Sequence, residues 1–323
     1  MDIEQVRHYS SNILKVTNFP GLGERKQGKV RDSYFTADRI VMVATDRHSS
    51  FDRIIAHVPF KGQVLTQTSR FWFEQTQDIV PNHALSYPDP NVVVGKRCQV
   101  LPVEVVVRGF ITGVTDTSLW TLYQRGERDF GDFILPEGMK KNQRLKHPVI
   151  TPTTKSDEHD RSLTPAQVVS EGFVATDLWR KVQQVALALF TRGQAVALAH
   201  GLILVDTKYE FGLDHEGTLT LVDEIHTQDS SRYWYAASYE ERLAKAAEPE
   251  YFDKEFLRLW FKEHCDPYHD KELPPAPPEL VSELARRYIE IYERLGGRTF
   301  EVFVEPVAER IAKNLQAAGF AVK

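Results

Sequence analysis

The sequence predicts an α+β protein built in two lobes, and three observations carry that reading. The chain has 323 residues, more than one hydrophobic core usually serves. Its first hundred residues or so are rich in short β-branched runs separated by turn residues. Its second half instead repeats apolar residues at intervals of three and four, the period of a helix face. The division falls near "LPVEVVVRGF" (101–110), a buried-type strand that carries the chain from a first lobe, 1–104, into a second, 105–323.

In order along the chain, "RIVMVATD" (39–46) and "VVVGKRCQVL" (92–101) read as strands, and "KGQVLTQTSRFWFEQT" (61–76) between them as a helix. Residues 113–165 are polar and broken by Gly and Pro, and so long a connection in a compact protein usually binds something. A helix follows over 176–201, with Thr176 or Asp177 as its cap and Gly201 as its stop. "GLILVDTKYEFG" (201–212) and "TLTLVDE" (218–224) read as a hairpin whose turn is "DHEG" (214–217). Two further helices are expected at 279–295, ended by Gly296 and Gly297, and at about 305–318, ended by Gly319. Five prolines between 266 and 278 mark a linker.

Composition excludes several classes. A hydrophobic fraction of 42% and a charged fraction of 26% are ordinary globular values. A net charge of -5 argues against a general nucleic-acid or membrane-surface binder. Cys98 and Cys265 lie far apart without metal-ligand spacing, which suits a reducing compartment. No apolar run approaches the roughly 18 residues of a membrane span. The expectation is a soluble, cytoplasmic protein with small-molecule partners, no nucleic-acid or membrane partner, acting as a monomer or small homo-oligomer.

Chemistry concentrates in a few stretches. In "GLILVDTKYEFG", Asp206, Lys208 and Glu210 fall at every second place, so a strand presents all three on one face. Counting back from a turn at 214–217 sets Lys208 opposite Asp223 with Glu210 one diagonal away, close enough for Glu210 and Asp223 to share a Mg²⁺ ion. The competing reading is a cross-strand ion pair on a solvated face. Against it, Leu202 to Val205 and Leu219 to Val222 are continuously apolar, as in a strand buried on both faces. "GERKQGKVRDSYF" (23–35) places Lys26, Lys29 and Arg31 around a glycine turn that could close over phosphates. "ATDRHSSFDR" (44–53) and "TPTTKSDEHDRS" (151–162) crowd hydroxyls, carboxylates and a histidine into loops suited to a substrate with both carboxylate and amine, although His48 and His159 themselves read as surface residues. Arg108 and Arg232 each abut an apolar run, and a partly buried Arg without a protein carboxylate needs a ligand anion.

Seven ordered blocks, "GKVRDSY", "TDRHSSFD", "KGQVLTQTSRFWF", "VEVVVRGFITG", "TPTTKSDEHD", "GLILVDTKYEFG" and "VDEIHTQDSSRYW", resemble the SAICAR synthetase family over about residues 20–310. The resemblance implies a two-lobed α+β enzyme, with an antiparallel-sheet-rich, kinase-like nucleotide lobe at 1–104, metal and substrate sites in 105–323, and an ATP cleft between lobes. It implies ATP-dependent ligation of L-aspartate to the carboxylate of carboxyaminoimidazole ribonucleotide (CAIR), with Mg²⁺. By the same resemblance Lys208 and Asp223 are catalytic. Gly28, Lys29, Val30, Arg31, Lys155 and Glu210 bind ATP, and Glu210 and Asp223 hold the metal. Asp46, Arg47, Ser49, Arg108, His159, Asp160, Ser231 and Arg232 bind substrate. One departure stands out: the family's "RGYLTGS" is "RGFITGV" here, so Val114 replaces a serine, with Thr112 and Thr115 as nearby hydroxyls. A small-molecule kinase would use the same parts without aspartate, and a non-catalytic nucleotide-binding module would leave the carboxylates without a task.

Overall fold

The structure, a computed structural model, describes residues 1–155, 161–252 and 254–323. A short helix, α1 (Ile3–His8), leads into three strands joined by tight turns, β1 (Glu24–Gln27), β2 (Arg31–Phe35) and β3 (Arg39–Ala44). A separate hairpin, β4 (Arg47–Ser50) and β5 (Arg53–His57), precedes α2 (Lys61–Thr76), the helix expected over 61–76. Strands β6 (Ala84–Asp89) and β7 (Val92–Lys96) then complete a five-stranded antiparallel sheet in the order β1-β2-β3-β7-β6. The stretch 92–101 is therefore broken at Arg97 and Cys98 and starts a new strand, β8 (Gln99–Ile111).

Residues 113–165 hold more structure than their polarity suggests: α3 (Leu119–Gln124), then β9 (Gln143–Thr154). Prolines 148 and 152 disguise β9 as a loop, yet it is the edge strand of its sheet, where a missing N–H is tolerated. Its register against β8 also jumps, from Val149 opposite Arg108 to Arg144 opposite Phe110, so Pro148 falls in the irregular stretch. After α4 (Pro165–Ser170) and α5 (Thr176–Ala199) come β10 (Leu202–Leu213), β11 (Leu219–Val222), β12 (Ser231–Tyr235) and α6 (Ala236–Ala244). The second sheet runs β11-β10-β8-β9, and β12 pairs with the first half of β10 on the edge where β11 pairs with the second half. Between them the 223–230 segment passes beside β10, where the Lys208 N–H donates to the Ser230 carbonyl.

The chain closes with α7 (Glu255–His264), α8 (Pro278–Gly296) and α9 (Val307–Ala317). Among the described residues no helix is long and apolar enough to cross a membrane. Compactness groups Met1–Trp72, His83–Arg97 and Phe256–Lys323 in one unit, and Phe73–Asn82 and Cys98–Glu255 in the other. This grouping differs from a single division after residue 104, because the last helices pack with the amino-terminal segments. Leu257 of α7 and Leu284 and Tyr288 of α8 join Val6, Val64 and Leu65 in one core. Ile311 and Leu315 of α9 join Tyr34, Val41, Val43, Val92 and Val94 of the first sheet in another. Period alone says which face of a helix is apolar and not which sheet it will cover.

Two buried polar anchors fix the first unit. Arg310 of α9 reaches Asp89 at 3.1 and 3.2 Å through two guanidinium nitrogens and also donates to Asn91. Asp46, after β3, accepts the backbone N–H groups of Leu14 (2.7 Å) and Gly62 (3.0 Å), fastening the first turn of α2 to the sheet. Burial pushes its carboxyl up to about 6, against the pull of those two N–H groups and of Lys61 and Arg310.

Arg310→Leu should strand the Asp89 carboxylate in the interior and lower unfolding free energy by about 3 kcal/mol or more in urea titrations, since removing one partner leaves an uncompensated buried charge. The Asp46 shift carries a pH signature. Its folded-state value lies above the ordinary 3.8, so its contribution to stability is fully present below 3.8 and is lost as pH rises to about 6. Asp46→Asn should flatten that decline between about pH 4 and 6 in stability–pH profiles; an unchanged slope would refute the assignment.

Candidate active site

Strand β10 lies inside its sheet, with β8 on one side and β11 and β12 on the other, so both of its edges are paired. One face carries Thr207, Tyr209 and Phe211 into the core. The other carries Asp206, Lys208 and Glu210, the alternation read from the sequence. The Lys208 ammonium lies 2.6 Å from Glu104 Oε1 on β8 and 3.1 Å from Glu210 Oε1. Glu104 and Glu210 sit directly opposite each other across the strand pair. Lys155, just past β9, pairs with the second oxygen of Glu210. Burial alone would lower the Lys208 ammonium, but Glu210, Glu104 and Asp223 outweigh it and raise it well above its usual range. Burial would likewise raise the Glu210 carboxyl, and Lys208 and Lys155 instead pull it down to about 2. Lys208 and Glu210 are thus both ionised near neutrality, in a cluster of three acidic and two lysine side chains.

Asp223 arrives by a different route from the one the hairpin count supplies. The connection occupies 214–218, closed by Asp214 N–H to the Thr218 carbonyl, and Asp214 Oδ1 caps the N–H groups of Glu216 and Thr218. That loop is one residue longer than the four-residue turn expected, so Leu213 faces Leu219 and Glu210 faces Val222. A shift of one would turn a strand residue to the wrong face. Asp223 escapes this because β11 has ended: its φ of 64° leaves the strand in a left-handed turn, and its charge still acts on Lys208.

The two arginines flank Asp206, which pairs with Arg108 of β8 and Arg232 of β12 in register. Arg232 Nη1 lies 2.7 Å from Asp206 and Nη2 3.5 Å from Glu255; Arg108 Nη1 lies 3.9 Å from Asp206. Both guanidiniums therefore have protein carboxylates, so the condition under which a ligand anion would be required is not met. Burial draws Arg108 down to about 10 against the attraction of Asp206. Its Nε donates to Thr151 Oγ1, and its side chain borders a pocket of about 260 Å³ shared with Thr117, Phe130, Thr153 and Leu163. Ser231 pairs opposite Thr207 and its hydroxyl donates to Thr207 Oγ1, so it belongs to the core face and not to the charged one.

In the first unit, residues 28–31 form the turn between β1 and β2, with Gly28 N–H bonded to the Arg31 carbonyl. A Cβ at 28 would stand 2.9 Å from that carbonyl oxygen, which is why glycine is placed there. Arg47, buried on Asp32 at 2.6 Å, donates to the carbonyls of Gly28 and Lys29. In trans peptides this turns the N–H groups of Lys29 and Val30 away from Arg47. The Lys29 ammonium pairs with Asp52 at the tip of the β4–β5 hairpin, while Val30 and Arg31 are half-buried at the turn. Asp46 and Arg47, read as substrate ligands, are 1% and 2% exposed and bonded to protein groups, Asp46 to the Leu14 and Gly62 N–H groups and Arg47 to Asp32 and the turn carbonyls. His48 is wholly buried, not a surface residue, and Ser49 beside it is half-buried. His159 and Asp160 lie outside the described residues. Near Val114, the Thr112 hydroxyl donates to Asn142 and that of Thr115 is shared with Ser118, so both are engaged within the protein.

Sequence reasoning overlooked Glu104, Asp206 as the arginines' partner, and Glu255. Glu104 was within reach: in "VEVVVR" the strand period puts it on the face of Arg108, with Val103, Val105 and Val107 on the other.

The sequence profile of the SAICAR synthetase family matches residues 24–275. A phosphoribosylaminoimidazole-succinocarboxamide synthase of Legionella pneumophila (strain Lens) is 54% identical over 305 residues, covering 94% of this chain and 97% of the relative. A chloroplastic one from Arabidopsis thaliana is 53% identical over 314 residues, covering 95% of this chain and 76% of the relative. The solved SAICAR synthase from Saccharomyces cerevisiae, complexed with SAICAR, superposes with a TM-score of 0.76 at 32% identity, covering 90% of this chain and 100% of that one. The chain belongs to the SAICAR synthetase family.

Proposed function

We infer that the chain is an ATP-dependent ligase of purine biosynthesis that joins L-aspartate to the carboxylate of CAIR, giving SAICAR, ADP and phosphate, and we propose that it does so through an acyl phosphate. The observation that carries the mechanism is the cluster of Glu104, Lys208, Glu210 and Lys155, partly buried around a buried Glu210, with Asp223 beside it. A carboxylate is a poor electrophile for an amine. In the proposed route a CAIR carboxylate oxygen bonds to the γ-phosphorus as the bond to ADP breaks. The aspartate amine then bonds to the carbonyl carbon, inorganic phosphate leaves, and the amine proton passes to a base. Each step moves negative charge between oxygens, so the protein's task is to position reactants and neutralise that charge.

Lys208, held between Glu104 and Glu210, is a fixed ammonium of that kind, and Lys155 is a second. Hard oxygen donors with one negative charge in excess suit a divalent cation such as Mg²⁺, which needs only one or two protein carboxylates. Glu210 and Asp223 would hold it, and it would supply charge neutralisation at the phosphate oxygens. Among the described residues no group of three or more His, Cys, Asp and Glu side chains is placed to hold a metal, which a two-carboxylate site does not require. We assign the nucleotide phosphates to the 28–31 turn, supported by its outward N–H groups and Lys29. The nucleotide of CAIR is assigned to Arg108 and Arg232, whose planar forks keep donors beyond those committed to Asp206.

Glu210→Gln and Asp223→Asn should each abolish turnover, assayed with ATP, CAIR and aspartate at saturating Mg²⁺, while circular dichroism stays native. ADP release that proceeds without aspartate would instead indicate a small-molecule kinase. Arg108→Lys or Arg232→Lys keeps the charge opposite Asp206 and loses the fork, so KM for CAIR should rise by about tenfold or more with KM for ATP little changed. Equal effects on both constants would remove these arginines from the CAIR side.

A further inference from the structure

Behind the charged face of β10 lies a buried knot that the reaction does not itself use. His226 is fully buried in the segment joining β11 to β12, and its φ of 49° makes it, like Asp223 three residues earlier, a left-handed residue without being glycine. Such conformations persist only where the surroundings over-determine them. Here the surroundings come from three elements. Tyr209 of β10, whose ring is on the face opposite its neighbours Lys208 and Glu210, bonds through its hydroxyl to His226 Nε2. Tyr233 of β12, next to Arg232, donates its hydroxyl to the His226 carbonyl at 2.6 Å. Gly193 of α5 presses on the ring: a Cβ there would stand 2.5 Å from His226 Cε1 and 2.6 Å from Leu204 Cδ2. A glycine inside a helix costs about 1 kcal/mol against alanine, and this one makes room for an imidazole.

We propose that His226 is a positioning residue for the reaction: its ring, clamped by Tyr209, Tyr233 and Gly193, fixes the 223–226 turn that presents the Asp223 carboxylate to Lys208. The proposal rests on the reading that Asp223 belongs to the catalytic machinery. The Tyr209 and His226 rings are both fully buried, so the bond between them is shielded from water. The two tyrosines lie on strands that also carry Lys208, Glu210 and Arg232, so one ring ties the position of the turn to the strands bearing both halves of the charged face.

The test compares His226→Leu, which keeps bulk and loses the ring nitrogen bonded to Tyr209, with His226→Gln, which restores a polar atom near Nε2, and with Tyr209→Phe. Readouts are kcat, KM for CAIR and aspartate, thermal midpoint, and amide exchange of residues 223–230 in the full chain. The expected result is a kcat about tenfold or more lower in His226→Leu and Tyr209→Phe, KM values within about twofold, faster exchange at 223–230, and partial recovery in His226→Gln. The double variant should be little worse than either single one, because both break the same bond. If His226→Leu fails to fold, Tyr209→Phe alone decides. Wild-type kcat, a glutamine variant no better than leucine, or unchanged exchange with only a lower midpoint would overturn the inference. Asp223→Asn is run alongside: activity in that variant would sink the catalytic reading of Asp223, whereas exchange at 223–230 still judges the clamp.

Discussion

Charged groups cannot enter a protein interior singly, and strand β10 takes Asp206 and Glu210 into one, with the half-buried Lys208 between them. The rest of the second unit is arranged around that constraint. Glu104 is directly opposite Glu210 because β8 pairs there, and Arg108 is opposite Asp206 because the same strand pairing continues. Arg232 meets Asp206 from the other side because β12 pairs with the first half of β10. Asp206 is matched by the two arginines that register sets opposite it, whereas register sets Glu104 and Glu210 opposite each other and Lys208 bridges them, so the charge pattern penalises a slip of register.

The two faces of β10 divide the labour. Thr207, Tyr209 and Phe211 contribute apolar area and two hydrogen bonds to the core, and so hold the strand still. The alternate residues can then be polar without loosening it. The break in the β10 edge between β11 and β12 matters equally, because it admits the 223–230 segment alongside Lys208, and an unbroken strand there would have kept Asp223 in a ladder and away from the ammonium.

What the sequence made legible followed from local periodicity. The helices over 61–76 and 176–201 and the two near the carboxy terminus formed within a residue or two of expectation, as did the apolar stretch and charged alternation of β10. What stayed hidden depended on contacts distant in sequence or on counts of one. The strand over 143–154 was masked by prolines that only an edge position tolerates, and a hairpin loop longer by one residue displaced the register. Arg108 and Arg232 looked unpartnered because Asp206 is 98 and 26 residues away from them in sequence and nothing local announces the pairing. The "TDRHSSFD" stretch looked like a solvated substrate loop, yet it folds inward, because Asp46 and Arg47 have backbone partners that composition does not reveal.

The charge balance along β10 also bears on the proposal that one face takes two kinds of ligand. Around Lys208 and Lys155, Glu104, Glu210 and Asp223 leave one negative charge over, whereas Arg108 and Arg232 balance Asp206 and Glu255. At short range in a partly buried setting an unbalanced charge of this kind would be met most directly by a small cation. The arginine end makes no such demand. Under the proposed assignment an anion there would share the guanidiniums with Asp206, Glu255, Thr151 and the Thr117 carbonyl. That sharing favours a planar, multiply donating side chain over a point charge, and it keeps the arginines fixed and neutralised when no substrate is present. A cation-seeking end and an anion-tolerant end thus follow from how five acidic and four basic groups are apportioned along one strand and its neighbours.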